Sequence, residues 1–494
     1  MKKCGEKNMN IKKKKLHIIP RSPGLIIISL LFLLAEISFM TLLTVLDVLP
    51  AMYNVVILIV LLILTILIFK LISSRKEPTK QRKAGAAISV IMILLLGIGC
   101  FYLFTTYSAF SNMSDEDKQY EEFYVVALRD GSYRDIKDIK GKTVYTHKGA
   151  SSVYEQAKDK LKKESEDIRY EEVSGYMDLK NVLIGDDGKE KDEIIFLSSS
   201  NYDMICEYAE VFEDRTRIIH KISVEIGNKD IAKRVGITEE PFNVYISGID
   251  TYGGIQKVSR SDVNMIMTVN PKSKQILLTS IPRDMYVKLH TYGQLDKLTH
   301  SGIYGIDETV STVEDWLGTD INYYVRVNFT SLKDVVDAIG GVDVESPRAF
   351  KSAVSKYSYE EGINHLDGEE ALFFARERKA FSDGDQERIK NQQRVLKGIL
   401  EKITGSPAIL TGYTQIMGSV GNEIQTNMTE KDISSLVKMQ LEDIGGWSIN
   451  SISIEGKGTY ASTYSMGSRQ LYVAIPDDTS VGEAREAIDE LLSK

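Results

Sequence analysis

Four short segments of the sequence place arginines and aspartates at spacings that could grip a compact anion. They are Gly248-Ile-Asp250, Ser259-Arg-Ser-Asp262, Ser280-Ile-Pro-Arg-Asp284, and Phe374-Ala-Arg-Glu-Arg378 followed by Asp383-Gly-Asp-Gln-Glu-Arg388 and Gln392. Guanidinium groups stay charged at any relevant pH and bind phosphate oxygens bidentately. Several of them in one apolar-walled place repel each other until an anion joins them. Two carboxylates from separate strands could hold one Mg2+ through oxygen ligands and leave positions for phosphate oxygens. Phosphoryl transfer needs mainly positioning and charge neutralisation, so arginines plus a metal can suffice. Asp385 is then base or orienter for an attacking hydroxyl.

Spacing gives these residues shared faces. Arg376 and Arg378 point to one side if the chain there is extended, and so do Arg260 and Asp262. Asp385, Arg388 and Gln392 fall on one face of a helix. Pro282 stiffens the backbone just ahead of Arg283. A bland reading stands beside each motif, because a lone Arg–Asp pair is usually a surface ion pair worth about 0–1 kcal/mol. Asp284 and Glu377 are expected to hold arginines in place, and Arg394 to be solvated. Val325, Val327, Phe329, Leu332, Val335, Val336 and Trp316 read, on their own, as plain core.

The elements that must position these residues alternate between strand and helix. Strands are expected at Asn243–Ile249, Val263–Val269, Gln275–Ile281, Tyr323–Val327 and Ile449–Ile454, with a hairpin turn at 270–274. Helices are expected at Ile306–Leu317, Ser331–Ile339, Asp385–Ile403 and Val481–Leu492. This pattern argues for a catalytic domain over 241–494, a sheet with helical covers. Residues 123–235 alternate in the same way without any catalytic constellation, and read as a small accessory domain. A polar, acidic stalk is expected over 107–122.

Ahead of this α/β part lie three apolar runs, Leu25–Leu49, Tyr53–Ile72 and Ala84–Phe104. Each is about the 20 residues that cross a bilayer as a helix. Basic residues precede the first run and fill the second connection, whereas the hairpin at Pro50 has none. The positive-inside rule then puts tail 1–24 in the cytoplasm, spans within 25–106 in the plasma membrane, and the rest outside. Glu36, inside the first span, reads equally as a structural pair or a functional group. The net charge of the chain is −8, and the exported part is more acidic still, which argues against broad nucleic-acid binding. The basic Lys12–Lys15 stretch reads as a topology signal. The three cysteines, Cys4, Cys100 and Cys206, are far apart and support neither a zinc site nor a disulfide framework.

Taken together, the segments resemble the LytR–CpsA–Psr (LCP) family over about Phe242 to Ile403. The stretches that carry the resemblance are Arg260-Ser-Asp262, Ser280-Ile-Pro-Arg-Asp284, Tyr323-Tyr-Val-Arg-Val-Asn-Phe329, Ile339-Gly-Gly-Val-Asp343, Gly362-Ile-Asn-His-Leu-Asp-Gly-Glu-Glu-Ala-Leu372, and Arg376-Glu-Arg378 with Asp385, Arg388 and Gln392. The three-span anchor and the additional exported domain are similar to the capsule-type, CpsA-like members. The resemblance implies a central β-sheet covered by helices, with a polyprenyl chain held in an apolar pocket between them. It implies Mg2+ on Asp250 and Asp262, and pyrophosphate contacts from Arg260, Arg283, Arg376, Arg378, Arg388 and Gln392. Asp385 matches the remaining site carboxylate.

The activity so implied is transfer of a capsular polysaccharide or teichoic-acid-like polymer from a polyprenyl-pyrophosphate carrier to peptidoglycan. Arg283, Arg376, Arg378 and Asp385 are the residues expected to act in it. Two other readings share the residues. One is a membrane-bound regulator of capsule synthesis acting through its cytoplasmic tail, and the other is a polyprenyl-pyrophosphate hydrolase.

Overall fold

A computed structural model describes residues 23–73, 78–113, 119–147, 152–209, 211–226, 230–249, 258–382, 384–405, 424–443 and 445–494. The chain divides into two compact units, Met1–Thr106 and Tyr107–Lys494.

The helices of the first unit are Pro23–Leu46, Ala51–Ile72 and the greater part of Pro78–Met113. All three are long and apolar enough to cross a membrane. Phe32, Leu61, Ile68, Ile72 and Leu96 form the buried seam between them, while most other apolar side chains face outward, as lipid-facing residues must. Glu36 is buried in this seam and accepts a hydrogen bond from the Thr65 hydroxyl at 2.8 Å, which favours the structural-pair reading. The third helix runs beyond the expected Phe104, and strand structure starts already at Gln119. The described ends of the expected stalk 107–122 are therefore regular structure: helix continues to Met113 because Tyr107, Ala109 and Phe110 still carry apolar surface. Lys12–Lys15 lies outside the described residues.

The second unit holds two large sheets. In the first, strands run in the order Arg169–Val173, Thr143–His147, Ile194–Ser198, Gln119–Leu128, Thr216–Ile226. Successive side chains of Gln119–Leu128 serve opposite faces, as a pleated strand dictates. Phe123 and Val125 enter one core, and Tyr124, Val126 and Leu128 enter the other. That second core also contains Ile303, Met466 and Leu471, so this sheet packs directly on the larger α/β part.

The second sheet orders its strands Ile424–Thr426, Tyr323–Val327, Phe242–Gly248, Val263–Asn270, Gln275–Ile281, Ser448–Ser453. Tyr323–Val327 pairs in parallel with Phe242–Gly248, and Ser448–Ser453 in parallel with Gln275–Ile281. The expected hairpin is present: Val263–Asn270 and Gln275–Ile281 pair antiparallel around the 271–274 turn. The central strands are buried on both faces, and their near-continuous apolar runs follow from that. On one face Tyr245 and Ile266 pack against helices Ile306–Leu317 and Asp478–Ser493, with Trp316 at the margin of this core as expected. On the other face Val244, Ile246 and Met265 lie toward Gly384–Gly405, through Leu396 and Leu400.

Two further helices complete that second cover. Phe329–Ala338 starts at Asn328, whose side chain and that of Ser331 cap each other's backbone amides. Gly368–Arg376 starts in the same way at Asp367 and Glu370. Gly368 lies so close to the Lys333 carbonyl that any Cβ would collide with it, and this lets the two helices approach. Phe374 is fully buried and edges onto Tyr359 at 5.0 Å between ring centres. Replacing Phe374 with Ala is expected to remove about 3–5 kcal/mol of stability. A urea titration of the solubilised chain checks this, and an unmoved midpoint would show that the helical cover does not depend on this ring.

Candidate active site

The three helices Phe329–Ala338, Gly368–Arg376 and Gly384–Gly405 enclose, over the sheet, a cavity of about 430 Å3. Its walls are apolar, including Ile246, Met265, Val327, Leu332, Leu372 and Ile399, and its polar part includes Asp262, Arg283, Arg376, Arg378, Lys379, Arg388 and Gln392. Val327, Phe329 and Leu332 therefore line an open space and are not plain core, whereas Val336 is fully buried. A helix–sheet layer leaves such a gap where side chains from both layers stop short of each other.

Strand ends deliver the central charges. Asp262 stands just before Val263–Asn270, its amide bonded to the Gly248 carbonyl at 2.8 Å. Its segment is fixed from behind by Gly302, where a Cβ would lie 2.6 Å from the Ser259 carbonyl oxygen. Arg283 follows Pro282 at the end of the hairpin partner and donates from Nη1 to Asp262 Oδ1 at 2.8 Å. The Thr299 hydroxyl donates to the same oxygen at 3.2 Å. Arg283 Nε lies 3.8 Å from Asp284, whose other oxygen accepts from Lys297 Nζ at 2.9 Å. Asp284 thus holds Arg283, as expected.

Burial by itself would raise the pKa of Asp262, but Arg283, Arg260 and Arg388 outweigh it and hold the carboxylate below its ordinary value. Burial likewise pulls on Arg283, yet Asp262 and Asp284 keep that guanidinium above its ordinary value. Arg388 differs. Its side chain is only 11% exposed, and burial followed by the nearby Arg283 charge pushes its pKa down despite Asp385 at 3.4 Å. Among the described residues, the Nε atoms of Arg283 and Arg388 are both buried without a hydrogen-bond partner.

The helical spacing of Asp385, Arg388 and Gln392 holds, since Asp385 and Arg388 pair across one turn. Arg378 also reaches Asp385 Oδ1 at 3.5 Å. Asp385 itself is 52% exposed and faces a smaller hollow with Asp284, Lys390 and Tyr472. The extended-chain premise for Arg376 and Arg378 fails: Arg376 ends a helix, and only Arg378 lies beyond it. Both still reach the cavity, because the helix stops between them at Glu377. The Arg376 guanidinium lies over the Phe329 ring, 4.0 Å from its centre.

Among the described residues Glu377 holds no arginine side chain. It accepts hydrogen bonds from the Ser352 hydroxyl and the amides of Ala353, Arg378 and Ala380, and so fixes the turn that aims Arg378. Arg394 is not simply solvated either, because it pairs with Glu387 at 2.6 Å. Arg260 is drawn away from the cavity lining to an ion pair with Glu207. Lys297, Thr299 and Glu207 carry no spacing signal in the sequence, since chain folding alone brings them to the arginines.

Asp250, expected as a metal ligand, lies outside the described residues. Asp262 fits a hard cation as an ionised, buried carboxylate, but among the described residues no group of three or more potential ligands forms. Mg2+ is commonly held by one or two carboxylates together with phosphate oxygens, and Asp262 fits as one such ligand.

The site thus joins an apolar cavity to several guanidiniums, features that suit an amphiphile with a compact anionic head. The chain belongs to the LytR_cpsA_psr family, whose profile matches residues 209–478. It is 33% identical over 232 residues to the polyisoprenyl-teichoic acid–peptidoglycan teichoic acid transferase TagU of Bacillus anthracis (strain CDC 684), covering 47% of this chain and 75% of that protein. The TagU protein of Bacillus licheniformis is 38% identical over 195 residues, covering 39% of this chain and 62% of that protein. The crystal structure of B. subtilis TagV matches with 32% identity and a TM-score of 0.43, covering 52% of this chain and 98% of that one.

The depressed pKa of Asp262 has a consequence for stability. At a pH above its ordinary value of 3.8 the carboxylate is charged whether the chain is folded or not, and the pair with Arg283 contributes fully. As the pH falls below that value and through the lower folded one, the contribution is lost. Asp262→Asn is expected to flatten this acid-side loss, and melting temperatures at pH 6 and about pH 3 compare the two proteins. An unchanged acid-side slope would remove the assignment.

Proposed function

We propose that this chain is a membrane-anchored transferase that moves a glycopolymer from a polyprenyl-pyrophosphate carrier onto peptidoglycan. The observation that carries the reading is the crowding of Arg283, Arg378 and Arg388 on the wall of an apolar cavity that Arg376 also lines, with Arg388 buried and, among the described residues, incompletely neutralised. Such a cluster favours a ligand with two negative charges. Family membership and the teichoic acid transferase named among the relatives support the same reaction.

In this reading the polyprenyl chain lies along Ile246, Val327, Leu332, Leu372 and Ile399. Arg283, Arg376, Arg378, Arg388 and Gln392 hold the diphosphate, and Arg260 joins them once released from Glu207. An acceptor hydroxyl of the wall glycan attacks the phosphorus that bears the sugar. The bond from that phosphorus to the bridging oxygen breaks, and polyprenyl phosphate leaves. Asp385, at the edge between the cavity and the smaller hollow, accepts the hydroxyl proton or orients the hydroxyl. Mg2+ would be held by Asp262 together with Asp250 and would neutralise phosphate charge. The three apolar helices anchor the chain, and the basic residues around them favour a cytoplasmic N-terminus with the α/β unit outside.

The test uses the full chain in liposomes with a lipid-linked glycan and a peptidoglycan acceptor. Arg388→Ala is expected to lower transfer by roughly 10²–10³-fold, the scale of removing one charge-stabilising donor. Chelating divalent cations is expected to abolish transfer and Mg2+ to restore it. Release of the glycan to water with no acceptor product would instead identify a hydrolase, and no turnover by the wild-type chain would sink the reading.

A further inference from the structure

The sheet that carries no motif nevertheless supplies a charged side chain to the arginines. Helix Ser199–Tyr208 follows the strand Ile194–Ser198, and its Met204 and Ile205 share a core with Ile303, Met466 and Leu471. Its last two residues both meet the charged network. Glu207 forms an ion pair with Arg260, and its other oxygen stands 3.9 Å from Arg283 Nη2. The Tyr208 hydroxyl accepts from Lys297 Nζ at 3.3 Å, and Arg469 donates to the Tyr208 carbonyl at 3.0 Å. These bonds fix the helix end, so Glu207 is presented to the arginines by a built contact.

Two features define what Glu207 does there. Among the described residues it is the sole ion-pair partner of Arg260, and Arg260 is the arginine of the constellation that does not line the cavity. The carboxylate also uses the guanidinium fork that a phosphate oxygen would use. At 34% exposure, the Glu207 side chain can turn to water without stranding a buried charge.

The geometry points to Glu207 as a built-in competitor of the donor diphosphate, occupying Arg260 and partly neutralising Arg283 until the diphosphate displaces it. This residue thereby sets the affinity for the donor, and the inference rests on the diphosphate reading of the site. A carboxylate brings one negative charge where a diphosphate brings at least two, so the exchange favours the diphosphate over singly charged competitors.

The experiment measures binding of farnesyl diphosphate to the full chain in nanodiscs by calorimetry. Glu207→Gln, which keeps the shape and removes the charge, is expected to tighten binding by about tenfold, the effect of roughly one favourable charge interaction. Glu207→Ala should act in the same direction, and Glu207→Asp should stay near wild type. In an Arg260→Ala background the Gln substitution should have much less effect, because the group competed for is gone. Equal or weaker binding by Glu207→Gln and Glu207→Ala, with the wild type binding normally, overturns the competitor role alone. Absence of binding by the wild type overturns the diphosphate site and the competitor with it.

Discussion

Everything in the α/β unit turns on like charges held close together inside a protein. Arg283 and Arg388 are mostly buried and raise each other's electrostatic cost, as the depressed pKa of Arg388 records. Asp262 and Asp284 offset Arg283, Asp385 offsets Arg388 and Arg378, and Glu207 offsets Arg260. Among the described residues the balance is incomplete at Arg388. A site in this condition favours an anion, because the fold has already met the cost of assembling the cations.

The scaffold explains how such an arrangement stays put. Arg283 and Asp262 come from the ends of two adjacent antiparallel strands, so the sheet itself sets their separation. Arg376, Arg378, Arg388 and Gln392 come from the helical cover and its turns. Fully buried Glu377 fixes the turn between Arg376 and Arg378 by accepting backbone hydrogen bonds. Apolar side chains from both layers then leave an apolar slot beside the charges, and a low-dielectric wall of this kind strengthens ionic interactions next to it.

The five-stranded sheet acquires a meaning from this arrangement. Its residues look unremarkable in isolation, with two ordinary cores on either side of Gln119–Leu128. Its contact with the larger part, however, ends in Glu207 and Tyr208, next to Arg260 and Lys297. A packing interface between two sheets has thus become part of the electrostatics of a site.

Sequence alone determined the three apolar helices, the hairpin, the central strands and the helix that aligns Asp385, Arg388 and Gln392. Those features are local, since hydrophobic period, turn chemistry and i,i+3 or i,i+4 spacing act over a few residues. It also pointed to the arginines of the cavity, through motifs that resemble a known family. Tertiary structure decided what spacing does not encode. It ended a helix at Arg376 where an extended chain was expected, gave Glu377 to backbone amides, made Val327, Phe329 and Leu332 cavity walls, and brought Glu207 to Arg260. The reason is that burial and charge pairing depend on which distant surfaces meet, and a residue's partners are known only once the layers have packed.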